Sequence, residues 1–152
     1  AKEMKSYHLL HQRRYDMSHE ASRIYPVFRF GNANAMIKWL SDSFGFVEHE
    51  VHRDDQGTVV HAELAFGSAM VMVGQARDDA FAKIIGHPDG PCGKAIYLAV
   101  ENADKLFDRA TAAGATILEG LTNRDYGSRE FICQDPEGNI WSIGTYWPKT
   151  ST

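Results

Sequence analysis

Residues 30–46 read FGNANAMIKWLSDSFGF and residues 135–146 read DPEGNIWSIGTY, and these two stretches decide the fold. In the first, Asn32 or Asn34 can accept the free N–H groups of a helix start. Met36, Ile37, Leu40 and Phe44 then recur at helical spacing, and Gly45 stops the run, which predicts a helix over Ala35 to Ser43. In the second, Asp135-Pro136-Glu137-Gly138 is a tight-turn sequence, and it joins a strand over Ser128 to Gln134 to one over Asn139 to Tyr146.

Working outward, Ile24 to Phe30 (IYPVFRF) is β-branched and aromatic and reads as a strand, with Pro26 tolerable near its start. After the first helix come strands over Phe46 to Arg53, Thr58 to Phe66 and Ala69 to Val73, with turns at Asp54-Asp55-Gln56-Gly57 and Gly67-Ser68. A loop from Gln75 to Pro91, with a short helix around Ala80 to Ile85, leads into a second series. There a strand over Lys94 to Val100 precedes a helix over Ala103 to Ala113, stopped by Gly114, and a strand over Thr116 to Glu119. Tyr25 matches Ala95 at an offset of 70, and Gly67 matches Gly138 at 71, so the chain contains an internal duplication. The fold class expected is α+β, built from tandem βαβββ modules at about residues 24–75 and 94–147 of a single domain, 24–149.

Composition bounds the partners. A chain of 152 residues, 43% hydrophobic and 24% charged, accommodates one such domain. A domain of this length hides roughly 68–70% of its unfolded surface, enough for a core without disulfides or a structural metal. Sixteen Lys and Arg against twenty Asp and Glu leave a net charge of -4, without the basic excess that phosphate backbones demand, so no nucleic acid is expected as a partner. No apolar run approaches the ~20 residues of a membrane helix, and the first twenty residues lack the apolar middle of a signal peptide; no membrane is expected, and the expected location is cytoplasmic. Cys92 and Cys133 have no CxxC spacing and read as reduced thiols, Cys133 as a packed one. Residues 1–23 read as a polar, basic extension with a net of +2, in which Met17 is one candidate for an alternative start; from Ile24 onward the net is -6, ending in a short tail, 150–152.

The tandem repeat, FGNANAMIKWLSDSFGF in one half and DPEGN followed by Trp141 in the other, resembles the vicinal oxygen chelate superfamily of glyoxalases, bleomycin resistance proteins and dioxygenases. The likeness spans about residues 24–147 and falls among the glyoxalase-like, bleomycin-resistance-like proteins of unsettled function, where the Tyr126-Gly127 to Arg129 segment also recurs. The resemblance implies a glyoxalase/bleomycin-resistance-like fold whose modules curl into an open, cleft-bearing sheet, and a homodimer. It further implies that a metal, where there is one, is held by four side chains from the first and fourth strands of both modules. His and Glu are usual there, because imidazole and carboxylate suit divalent transition ions. Aligned on the Phe30-Gly31-Asn32 and DPEGN landmarks, those places hold Tyr25, Met72 (or Val71 with a one-residue slip), Ala95 and Ser142. The expectation is therefore no metal and no cofactor.

Strand parity then assigns faces. If Tyr25, Ala95 and Ser142 point inward, so do Val27, Arg29, Tyr97 and Tyr146, while Phe28, Phe30, Leu98, Trp141 and Ile143 face the helices. Counting back from the Asp54–Gly57 turn pairs Arg53 with Thr58, Glu50 with His61 and Glu48 with Glu63. This gathers Glu48, Glu50, His52, His61 and Glu63 on one face and Val47, Val51, Val60, Ala62 and Leu64 on the other, with His49 out of pattern. That polar face is open to three readings: a solvated surface, a cleft for cationic ligands, or an unorthodox metal site through Glu50, His61 and Glu63. The ligand-binding residues expected in the first module are Arg29, Glu50, His61 and Glu63. In the second they are Tyr97, Tyr126, Arg129 and Tyr146, aromatic rings and a cation near the module mouth.

The function expected is a metal-free small-molecule binding protein that sequesters an aromatic or cationic compound. The alternative is a lyase, glyoxalase-like or other small-carbonyl enzyme that uses a displaced metal site, or His61 and Glu63 as its acid-base pair.

Overall fold

The computed structural model describes residues 21–149; most of the basic extension and the short tail lie outside the described residues. The first module runs β1 (Val27–Phe30), α1 (Ala33–Phe44), β2 (Val47–Arg53), β3 (Val59–Phe66) and β4 (Ala69–Gln75), and α2 (Ala80–Ile85) lies in the connector. The second runs β5 (Ile96–Ala99), α3 (Ala103–Ala112), β6 (Thr116–Asn123), β7 (Arg129–Gln134) and β8 (Ile140–Gly144). Each module forms one four-stranded sheet, ordered β1-β4-β3-β2 and β5-β8-β7-β6, and neither closes on itself. In both, the first strand lies parallel to the fourth and the other pairs are antiparallel, so the duplication in the sequence is a duplication of topology.

Local chemistry places the element ends. Asn32 is the cap of α1, its side chain accepting from the Ala35 N–H at 3.1 Å, and Gly45 ends the helix at a φ of 87°. Such a cap contributes about 1 kcal/mol. Asn34 instead donates to the Gly57 carbonyl and accepts from Arg53, which fastens α1 to the β2–β3 turn. The first strand starts later than Ile24, because Pro26 has no N–H for the ladder; its carbonyl still accepts from the Met72 N–H at 2.9 Å.

The β2–β3 register departs from simple counting. Arg53 pairs with Val59, His52 with His61, Glu50 with Glu63 and Glu48 with Leu64. His49 on β2 and Val60 on β3 are extra residues at two irregularities, and each moves the pairing by one. This corrects the expected pairs Glu50–His61 and Glu48–Glu63. It also turns Val60 outward, 48% exposed, while Val59 is fully buried.

The modules share one core, in which Phe30, Leu40, Leu64, Phe131, Trp141 and Ile143 are completely buried. Trp141 of the second module sits among aromatic rings of the first, with centroids 5.8 Å from Phe28, 5.1 Å from Phe44 and 5.9 Å from Phe46. Polar contacts rim this apolar joint. The Trp39 indole N–H donates to the Ala113 carbonyl, and Arg109 donates to the carbonyls of Ser41 and Asp42 at the end of α1. The Glu137 carboxylate accepts from the Gly31 and Asn32 N–H groups, at 2.6 and 2.9 Å.

Asp135 organises the turn behind these contacts. Only 4% exposed, its carboxylate accepts from the N–H groups of Glu137 and Asn139, from the Asn139 side chain and from the Trp141 indole. Removing it orphans several buried or half-buried donors at once. Asp135→Ala is expected to cost about 3 kcal/mol of unfolding free energy, measured by urea denaturation, and a loss under about 1 kcal/mol contradicts this role.

Candidate functional site

On the second sheet, Glu130 of β7 lies directly opposite Gly144 of β8. A Cβ added at Gly144 would stand 2.6 Å from Glu130 Cγ and 2.7 Å from the Tyr97 hydroxyl, so the missing side chain makes room for both groups. Glu130 is 6% exposed. Its Oε1 accepts from the Tyr126 hydroxyl at 2.8 Å and from Arg124 Nε at 3.1 Å. The Tyr97 hydroxyl donates to the Tyr146 carbonyl at 2.7 Å, and the Tyr126 and Tyr146 rings meet edge to face at 6.0 Å. With Ser142 and Pro148, these groups line an open hollow of about 700 Å³.

Burial pushes the Glu130 carboxyl up, but hydrogen bonds from Tyr126, Ser128 and Arg124 together outweigh it and hold the group below the ordinary carboxylate value. The bond to Glu130 raises the Tyr126 hydroxyl, and burial raises that of Tyr97, so both rings keep their protons near neutrality. Arg124 also bonds Glu119 at 2.8 Å. Two carboxylates against one guanidinium leave this corner with a net charge of -1. The hollow thus offers aromatic faces, apolar contact and one buried carboxylate, Glu130, whose guanidinium partner is shared with Glu119.

The other expected residues go elsewhere. Arg129 follows the alternation of β7 to the opposite face and donates to Asp104 and Asn123. Arg29 is tied to Asp79 at 3.3 and 3.4 Å, its guanidinium 5.0 Å from the centre of the Phe81 ring, where the connector crosses β1. On the first sheet, His61 and His49 each bond one oxygen of Glu63, at 3.0 and 3.2 Å, and His52 bonds Glu50 at 3.3 Å. His61 therefore partners Glu63 on its own strand, and not Glu50. The His61 bond, helped by His49, lowers the Glu63 carboxyl against the opposing effect of burial, which makes it a weak base.

The usual metal positions do not fit a divalent ion. Val71 is buried in the core and Met72 is half-buried, so Met72 takes the β4 place. The set is then Tyr25, Met72, Ala95 and Ser142, which supplies neither imidazole nor carboxylate. Among the described residues, no three of His, Cys, Asp and Glu are grouped to hold a metal. The Cys133 thiol is fully buried and pushed up to about 12 by desolvation, with the Asp135 charge adding to it, so it is a packing group.

Glu130 and Arg124 were absent from the residues expected to bind ligand. The legible signal for Glu130 is a carboxylate directly ahead of Phe131-Ile132-Cys133, in a strand whose hairpin partner carries a glycine. Ser142 stands in the sequence only at a metal position of the family, and nothing in the sequence marks Pro148.

Comparison with known proteins gives a family. The model for the Glyoxalase/Bleomycin resistance protein/Dioxygenase superfamily matches residues 24–143. The chain is 30% identical over 118 residues to an uncharacterised protein of Mycobacterium bovis, covering 74% of this chain and 76% of that protein. A Mycobacterium tuberculosis protein, also uncharacterised, matches at the same identity over 68% of its length. Among solved structures, TioX from Micromonospora sp. ML1 superposes with a TM-score of 0.66 at 27% identity, over 86% of this chain and 100% of its own. A glyoxalase/bleomycin resistance protein/dioxygenase family enzyme from Burkholderia phytofirmans PsJN shares the fold, with a TM-score of 0.64 at 22% identity over 79% of this chain and 94% of that one.

The Glu130 environment predicts an acid-sensitive contribution to stability. Its folded value lies below the unfolded one, so the contribution is complete above the ordinary value of 4.5 and is lost as pH falls through the lowered value. In urea melts between pH 7 and pH 3, Glu130→Gln is expected to flatten the acid loss seen in the wild type. Identical acid slopes would contradict the assignment.

Proposed function

The chain belongs to the glyoxalase/bleomycin resistance protein/dioxygenase superfamily, and from that premise we propose that it is a metal-free small-molecule binding protein that sequesters an aromatic, cationic compound. The observation that carries this reading is the buried Glu130 carboxylate on the wall of the three-tyrosine hollow, its Arg124 partner shared with Glu119. Tyrosine faces attract planar rings and cations, and a carboxylate shielded from water attracts an ammonium more strongly than an exposed one does. The folded unit is taken as residues 24–149, and the acidity of that unit steers cations toward it.

We further propose that the protein is a homodimer. Tyr126, Tyr146 and Trp147 stand at the rim with 59%, 53% and 52% of their surfaces exposed, an aromatic margin suited to a second copy over the open side. The enzyme alternative draws less support. A Glu63 carboxyl held below its usual value by His61 and His49 is poorly matched to general-base work near neutrality.

Calorimetry against matched aromatic amines and aromatic carboxylates tests the binding. Saturable heat is expected from amines, with affinity reduced at least tenfold by Glu130→Gln and by Tyr126→Ala; equal affinity for the carboxylates would contradict it. Protein purified without chelator is expected to hold well under one equivalent of nickel, zinc, iron or manganese, and light scattering to give twice the chain mass. Stoichiometric metal lost on His61→Ala would favour the enzyme instead.

A further inference from the structure

Beside the tyrosine hollow lies a second one, of about 260 Å³, between the two modules. The first module supplies Phe66 and Ala69, the paired residues flanking its β3–β4 turn, β5 supplies Leu98 and Ala99, and the segment after β8 supplies Trp147. Tyr97 and Pro148 border both hollows, so these two residues form the partition between them.

The smaller hollow is chemically unlike its neighbour. No charged side chain lines it, and the Tyr97 hydroxyl at its edge is already given to the Tyr146 carbonyl. Leu98 is 6% exposed, so the space abuts the core itself. Trp147, which lines this space, is half exposed, in contrast to Trp39 at 9% and Trp141 at 0%. An apolar wall adjoining an aromatic, anionic hollow suits one molecule that has both characters.

Resting on the reading above, we infer that the ligand is amphiphilic. Its aromatic amine head occupies the tyrosine hollow, and an apolar extension of several carbons crosses Tyr97 to pack against Phe66, Ala69, Leu98 and Trp147. Each methylene moved from water into such a space improves affinity roughly threefold to fourfold.

Benzylammonium and 4-hexylbenzylammonium, titrated into the full chain by calorimetry and by tryptophan emission, test the extension. With half of the hexyl carbons buried, the longer probe is expected to bind roughly 27- to 64-fold more tightly and to shift tryptophan emission to the blue. Trp147→Phe is expected to abolish that shift. Ala69, the first residue of β4, is exposed, and Ala69→Trp is expected to collapse the affinity ratio of the two probes below about threefold. Tight benzylammonium binding with no gain from the hexyl chain, or a gain that survives Ala69→Trp, would overturn the extension and leave the head site standing. Binding of neither probe would overturn both.

Discussion

The structure depends on a single buried carboxylate. Asp135 gathers the N–H groups of Glu137 and Asn139 and the indole of Trp141, and so determines how the β7–β8 turn closes. Two consequences follow in opposite directions. Toward the first module, the turn drives Trp141 among Phe28, Phe44 and Phe46 and delivers Glu137 to the start of α1. Along the hairpin, the same closure sets the register that brings Glu130 opposite Gly144. Module joint and candidate site therefore share one origin.

Duplication has left equivalent floors and unlike furnishings. Gly74 pairs with Arg29 as Gly144 pairs with Ala99, and both glycines let a charged side chain lie close to the fourth strand. In the first module that side chain is Arg29, drawn toward Asp79 and Phe81 of the connector. In the second it is Glu130, encircled by tyrosines and set beside open space. At the fourth-strand positions, Met72 and Ser142 supply neither imidazole nor carboxylate.

Much of this was legible in the sequence because it is local. Asn32, Gly45 and Gly114 mark helix ends in their own neighbourhoods, and the alternation of Phe28, Phe30, Leu98, Trp141 and Ile143 names the core face without tertiary knowledge. Register was not legible between β2 and β3, because the extra residues His49 and Val60 displace the count in opposite strands. The site was legible in part. Tyr97, Tyr126 and Tyr146 converge on one hollow, whereas the Arg129 charge points to Asp104 and its neighbour Glu130 holds the inward position. The pairing of Glu130 with Arg124 and Tyr126 arises from side chains meeting across the β6–β7 bend, which no linear spacing encodes.

The location of the head site can be read directly from amide and tyrosine-ring chemical shifts of the isotopically labelled full chain as benzylammonium is added. Shifts concentrated at Tyr97, Tyr126, Glu130, Gly144 and Tyr146, saturating together, are the predicted result. Saturating shifts centred instead on His49, His61 and Glu63, with the second sheet unmoved, would contradict it.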